Sequence, residues 1–318
     1  MMKKNRMAEP DMPSTIEGII IELTNNKGPL LNARLIELSN LSSKELEFFK
    51  HTWAAIEPKR RYQIVHRLVE LAENNIELNF DSIFKYCLQD RNDEVQSKAI
   101  EGLWENEEAS QITPLINLLK QDTSEKVQTG AAIALGKFAM LAEHKKLCSD
   151  YVSGIQEALL TVISDENKTV EVRRRALEAV APLSIQQVKT AIMKAYQSHN
   201  SRLKVSSIYA MGKNYDPSWL PILLKELTSS DAEVRYEAAE ACGELEEEEA
   251  VPYLTERISD PDADVQMSAI QALGKIGGTQ ARKCLEQCLN NSSEAISQTA
   301  EQALNELEAK GKLLSFQV

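Results

Sequence analysis

A chain of 318 residues with 43% hydrophobic residues can bury a sizeable core, and 5% aromatics beside abundant Ala, Leu and Glu suit an all-α fold. The net charge is −12, and its excess gathers in residues 201–318, where 20 Asp and Glu face 11 Lys and Arg. That balance disfavours a nucleic-acid backbone and favours a basic partner. No apolar run approaches the ~18 residues of a membrane span, residues 1–14 lack a signal-peptide core, and five unpatterned cysteines read as reduced thiols of a cytoplasmic protein.

Residues 1–14 carry charge and proline without periodicity, so a flexible arm is expected. Residues 15–56 read as an N-terminal helical cap. A short helix over Thr15–Thr24, with Ser14 as its cap, precedes a turn at Asn25–Pro29. Helices over Leu30–Leu41 and Lys44–Ala55 follow, the second capped by Ser42 or Ser43. The stretch Glu57–Glu73 is amphipathic, with Ile64, Leu68 and Ala72 on one face.

Ile64 lies 31 residues before Val95, and Val95 heads a column of equivalent positions: Val95, Val127, Val172, Leu203, Val234, Val265 and Ile296. Their gaps are 32, 45, 31, 31, 31 and 31 residues, the signature of a stacked repeat. Four residues after each anchor stands Ala99, Ala131, Ala176, Ser207, Ala238, Ala269 or Ala300. Offsets 0, 4 and 8 share one helical face, and the small residue admits a neighbouring helix. Three residues before each anchor stands an N-capping type: Asn92, Ser124, Thr169, Asn200, Asp231, Asp262 or Ser293. Glycine at offset 9 (Gly136, Gly212, Gly243, Gly274) suits close packing or termination. A second helix precedes each anchor helix, with Pro114, Pro221 and Pro252 in first turns.

The expected fold is an all-α, right-handed α-solenoid (an α-α superhelix) of stacked helical hairpins. It spans residues 57–307 in about eight units, with Glu57–Glu73 as a degenerate first member and 308–318 as a tail. The 45-residue gap puts extra length near 141–154, as a lengthened helix plus loop or a protruding insertion.

The segments Asp231–Leu254 and Asp262–Gly278 carry a resemblance to the HEAT-repeat family, in particular to the short bacterial units first noted in phycobilin lyases. The chain is also similar to bacterial HEAT-repeat proteins with an N-terminal helical cap. The resemblance covers about residues 57–307 and implies an armadillo-like helical scaffold. Polar residues just after the anchor, among them Arg173 and Arg235, are then expected to tie units together in a ladder.

Catalytic branches of the family find little support. His51, His66, His144 and His199 are followed by Thr52, Arg67, Lys145 and Asn200, so the His-Glu pairs of a di-iron hydroxylase are missing. Arg173, Arg174, Arg175 and Lys204 form one basic spot, too little for a DNA-glycosylase groove. Cys284 and Cys288 share a helix face but lack the further ligands of a zinc site. No catalytic, metal-ligating or cofactor-binding residue is assigned.

Offsets 2 and 6 point away from the packed face. They hold Arg174, Val205, Tyr236 and Met267, then Glu178, Tyr209, Glu240 and Gln271. Apolar and aromatic side chains there suit an interface. The partner-binding candidates are Arg174, Val205, Tyr209, Tyr236 and Met267. The expected function is a non-enzymatic scaffold that binds a protein partner along the concave inner helices. The alternative that the resemblance implies is a phycobilin-lyase-like or chromophore-handling accessory; nucleic-acid binding stands third.

Overall fold

Helix after helix begins where a short polar side chain takes a free backbone amide. Asn92, Thr169, Asn200, Asp231 and Asp262 each accept from an N–H of the turn that follows, at 3.0–3.3 Å. The computed structural model describes residues 15–291 and 293–315. The arm expected over 1–14 and the last three residues of the tail lie outside them. Among the described residues, every regular element is helical, and no helix is long and apolar enough to cross a membrane.

The chain falls into two compact units that divide between Ala134 and Leu135. The first holds α1 (Ile16–Leu23), α2 (Asn32–Ile36), α3 (Ser43–Trp53), α4 (Pro58–Asn74), α5 (Asp81–Cys87), α6 (Asp93–Gly102) and α7 (Ile112–Gln121). The division falls inside α8 (Glu125–Glu143). The second unit continues with α9 (Ser149–Ser164), α10 (Val170–Val180), α11 (Gln186–Tyr196), α12 (Ser201–Lys213), α13 (Leu220–Glu226), α14 (Ala232–Leu245), α15 (Val251–Arg257), α16 (Ala263–Ile276), α17 (Gly278–Cys288) and α18 (Glu294–Ser315).

In the first unit α2, α4 and α6 pack in sequence, with α5 against α6. In the second, the anchor helices α10, α12, α14, α16 and α18 pack each against the next, and α9, α11, α13, α15 and α17 lie against their own partners. This is the α-solenoid class, built from stacked helical hairpins. All seven anchors and all seven offset-4 residues are buried. At offset 8 burial holds from Leu103 to Leu273, and Leu304 in the last helix is partly exposed.

The glycines at offset 9 set the approach of successive helices. A Cβ on Gly212, Gly243 or Gly274 would lie within 2.8–2.9 Å of Ala241, Ala272 or Ala303 on the next anchor helix. Close packing, rather than termination, is what they serve.

Three local expectations change, and the irregular gap takes one of the two forms expected for it. Thr15, not Ser14, caps α1, its hydroxyl accepting from Gly18 N at 3.2 Å. The helix expected over Leu30–Leu41 is only Asn32–Ile36, because Asn40 takes a positive φ of 56° and gives its N–H to the Asn79 carbonyl at 2.8 Å. The irregular gap is a lengthened helix plus loop: α8 runs to Glu143, Lys145 turns the chain at φ 58°, and α9 begins at Ser149. The expected tail from 308 instead continues α18 to Ser315. Ser42 caps α3 as expected, in a capping box with Glu45.

Candidate functional site

The polar residue after each anchor does two jobs. Gln96 and Arg173 donate to the carbonyls of Leu88 and Ile163, at 3.2 and 3.0 Å, closing the end of the preceding helix. Lys204 and Arg235 reach the following repeat, and Arg235 also donates to the Ser229 carbonyl at 2.8 Å. Lys204 Nζ lies 2.9 Å from Glu226, whose other oxygen accepts from Tyr196 at 2.6 Å. Arg235 grips the fully buried Asp260 carboxylate with Nε at 2.9 Å and Nη2 at 2.7 Å. These charges hold repeats together and are unavailable to a partner.

The basic spot seen in the sequence is likewise neutralised. Arg174 pairs with Glu171 at 2.6 Å and Glu178 at 3.1 Å, and Arg175 pairs with the same two carboxylates at 3.2 and 2.9 Å. Arg174 is therefore partly exposed but already partnered.

On α12, α14 and α16 the offset 2 and 6 positions behave unequally. Tyr209 is 37% exposed, Tyr236 36%, and Met267 partly exposed. Val205, expected in the same outward row, is buried at 8% exposure. It is a short side chain between the longer Arg174 and Tyr236 at the same offset on the neighbouring helices. The face is thus centred on Tyr209, Tyr236 and Met267.

Carboxylates surround these side chains. Glu233, Glu237, Asp262 and Asp264 line one open depression together with Tyr236 and Met267. The other carboxylates of this stretch have partners: Ser206 donates to Glu178 at 2.6 Å, and Lys275 reaches Glu240 at 3.3 Å and Glu244 at 2.9 Å. Glu237 is the crowded one. Burial, then the charges of Glu178, Glu240 and Glu233, push its carboxyl up to about 7, with Lys213 opposing. Burial and the neighbouring carboxylates also raise Tyr209 and Tyr236 above the usual phenol value. Sequence reasoning missed Glu237, whose offset 3 lies between the packed and open faces.

The remaining candidates reduce to packing. Cys288 is buried, and Cys284 Sγ lies 3.3 Å from Thr255 Oγ1. Glu246 takes the left-handed conformation that closes α14 and pairs with Lys310 at 2.7 Å. Among the described residues no group of three or more His, Cys, Asp or Glu is arranged to hold a metal ion.

Residues 81–147 and 220–305 match the family described as HEAT repeats. Those two stretches carry HEAT repeats. Among curated proteins no relative matches it in sequence. Among solved structures, this HEAT-repeat chain is similar to a chain of the CpcE–CpcF complex of phycocyanin lyase from Nostoc sp. PCC7120. Identity is 15%, covering 95% of this chain and 99% of that one, with a TM-score of 0.51. It is similar also to a chain of the Kap95:Nup1 complex, at 14% identity and a TM-score of 0.55, covering 92% of this chain and 46% of that one. At such identities the likeness is one of fold.

Proposed function

We propose that this HEAT-repeat chain is a non-enzymatic interaction scaffold, whose partner docks on the face of α12, α14 and α16 around Tyr209, Tyr236 and Met267. The carrying observation is the exposure of three interface-type side chains on successive anchor helices, where the same offsets elsewhere, exposed Ile133 of α8 apart, are short, polar or ion-paired. The flanking Glu233, Glu237, Asp262 and Asp264 favour a partner segment that presents Lys or Arg beside an apolar side chain. Repeats of this kind offer extended surfaces with little chemistry of their own. The Kap95:Nup1 and CpcE–CpcF structures are protein complexes, and a protein partner is in keeping with them.

The test is capture from native extract, identification by mass spectrometry, and hydrogen exchange of the purified complex. Protection gathered on α12, α14 and α16 is expected. Protection confined to the outer helices, or a bound chromophore in place of a protein, would contradict the proposal.

A further inference from the structure

The N-terminal unit holds a cavity of about 140 Å³ beside α1, α2 and the start of α4, which the interaction face does not use. Most of its wall is aliphatic, from Ile19, Leu23 and Leu35 among others. Three ionic side chains interrupt that wall: Glu22, Arg34 and Arg60. Arg34 Nε stands 3.7 Å from Glu22 Oε2, a loose pair. The other two polar ends are orphans: Arg60 Nε and Glu22 Oε1 are buried with no hydrogen-bond partner.

Arg60 is only 6% exposed, and burial alone draws its guanidinium below the usual arginine value. A cation taken out of water is costly unless a counter-charge meets it. Arg60 also sits in the first turn of α4, where the helix dipole favours negative charge. Two cations against one carboxylate leave the cavity with an unmet positive charge. The orphan acceptor on Glu22 asks for a donor as well. A cavity of about 150 Å³ admits a body the size of benzene, so this one takes about six non-hydrogen atoms inside it and, being open on one side, leaves the rest of a longer ligand at its mouth.

We propose that this cavity binds a small aliphatic carboxylate that carries an N–H or O–H donor beside the carboxylate. Arg60 holds the carboxylate through charge-assisted hydrogen bonds, Glu22 Oε1 accepts from the donor, and the aliphatic wall takes the side chain. A leucine-like residue has this chemistry, either as a free amino acid or as the C-terminal residue of a peptide.

The test is calorimetric titration of the full chain with L-leucine, N-acetylglycyl-L-leucine, leucinamide and 4-methylpentanoate. Leucine or the acetylated dipeptide is expected to bind, and which of the two binds more tightly tells the free acid from the peptide end. Leucinamide, without the carboxylate, is expected to give no heat, and 4-methylpentanoate, without the donor, to bind more weakly. Arg60→Met is expected to weaken the better ligand at least tenfold. It should melt no lower than the native chain, since it removes a buried Nε–H that has no partner. Glu22→Gln offers a second reading should Arg60→Met fail to fold: it should narrow the preference for leucine over 4-methylpentanoate. Three results would overturn the proposal: no carboxylate binding at millimolar ligand, leucinamide binding as tightly as leucine, or native affinity in both variants.

Discussion

Asp260 and Glu237 are carboxylates of neighbouring repeats with opposite surroundings. Asp260 is buried and gripped at both oxygens by Arg235. Burial raises its pKa, and the bonds from Arg235 and the Asp262 amide outweigh that to leave it below the usual aspartate value. Asp260→Ala would strand a buried guanidinium, an expected loss of about 3–5 kcal/mol in urea unfolding. Glu237 is the reverse case. Its raised folded pKa means the folded chain holds an extra proton between the unfolded value of 4.5 and about 7, so stability falls as pH rises through that window. Glu237→Gln should therefore stabilise the protein at pH 8 by about 1–2 kcal/mol, a figure discounted for solvent screening. At pH 4, below that window, melting should match the native chain; an equal gain at both pH values would contradict the assignment. Arg235 was legible in the sequence as a ladder residue by its place after the anchor. Asp260 was not, although it belongs to a column five residues before each anchor that went unread. In six repeats, at Asp90, Asp122, Ser198, Ser229, Asp260 and Asn291, that side chain accepts from the amide two residues on.

At the scale of the helix, two glycines in anchor helices separate spacing from propensity. A Cβ on Gly243 would meet Ala272 Cα at 2.9 Å, and backbone cannot yield as a flexible side chain can. Gly243→Ala is expected to push α14 and α16 apart at a cost of about 1–3 kcal/mol. Gly130 in α8 has nothing nearer than Ile100 Cδ1 at 3.5 Å. Gly130→Ala should stabilise by up to about 1 kcal/mol through backbone entropy and helix propensity. Paired denaturant titrations check both, and matching signs would contradict the packing account. The glycine column and the helix pairs were legible because period, cap and apolar face agree at every anchor. The short α2 was not, because Leu30–Leu41 is apolar enough for a longer helix, and a bond to Asn79, 39 residues downstream of Asn40, stops it. Likewise the extra residues near 141–154 showed as added length, but only the conformation of Lys145 shows that they lengthen α8 and α9.

For the molecule as a whole, the basic side chains beside the proposed face are taken up by contacts within one helix or between one helical hairpin and the next. Arg174, Arg175, Lys204 and Arg235 all close contacts within or between repeats. The outward row was legible as a row because offsets 2 and 6 follow from helical geometry alone. Which members stay open depends on the lengths of their neighbours, so Val205 is covered while Tyr209 and Tyr236 remain at the surface. The most direct test is the affinity of the captured partner for Tyr209→Ala combined with Tyr236→Ala, beside Tyr253→Ala, which removes a still more exposed tyrosine from outer helix α15. The double variant is predicted to keep its helicity and lose at least tenfold in affinity while Tyr253→Ala binds as the native chain does; a double variant that binds undiminished would contradict the proposed face.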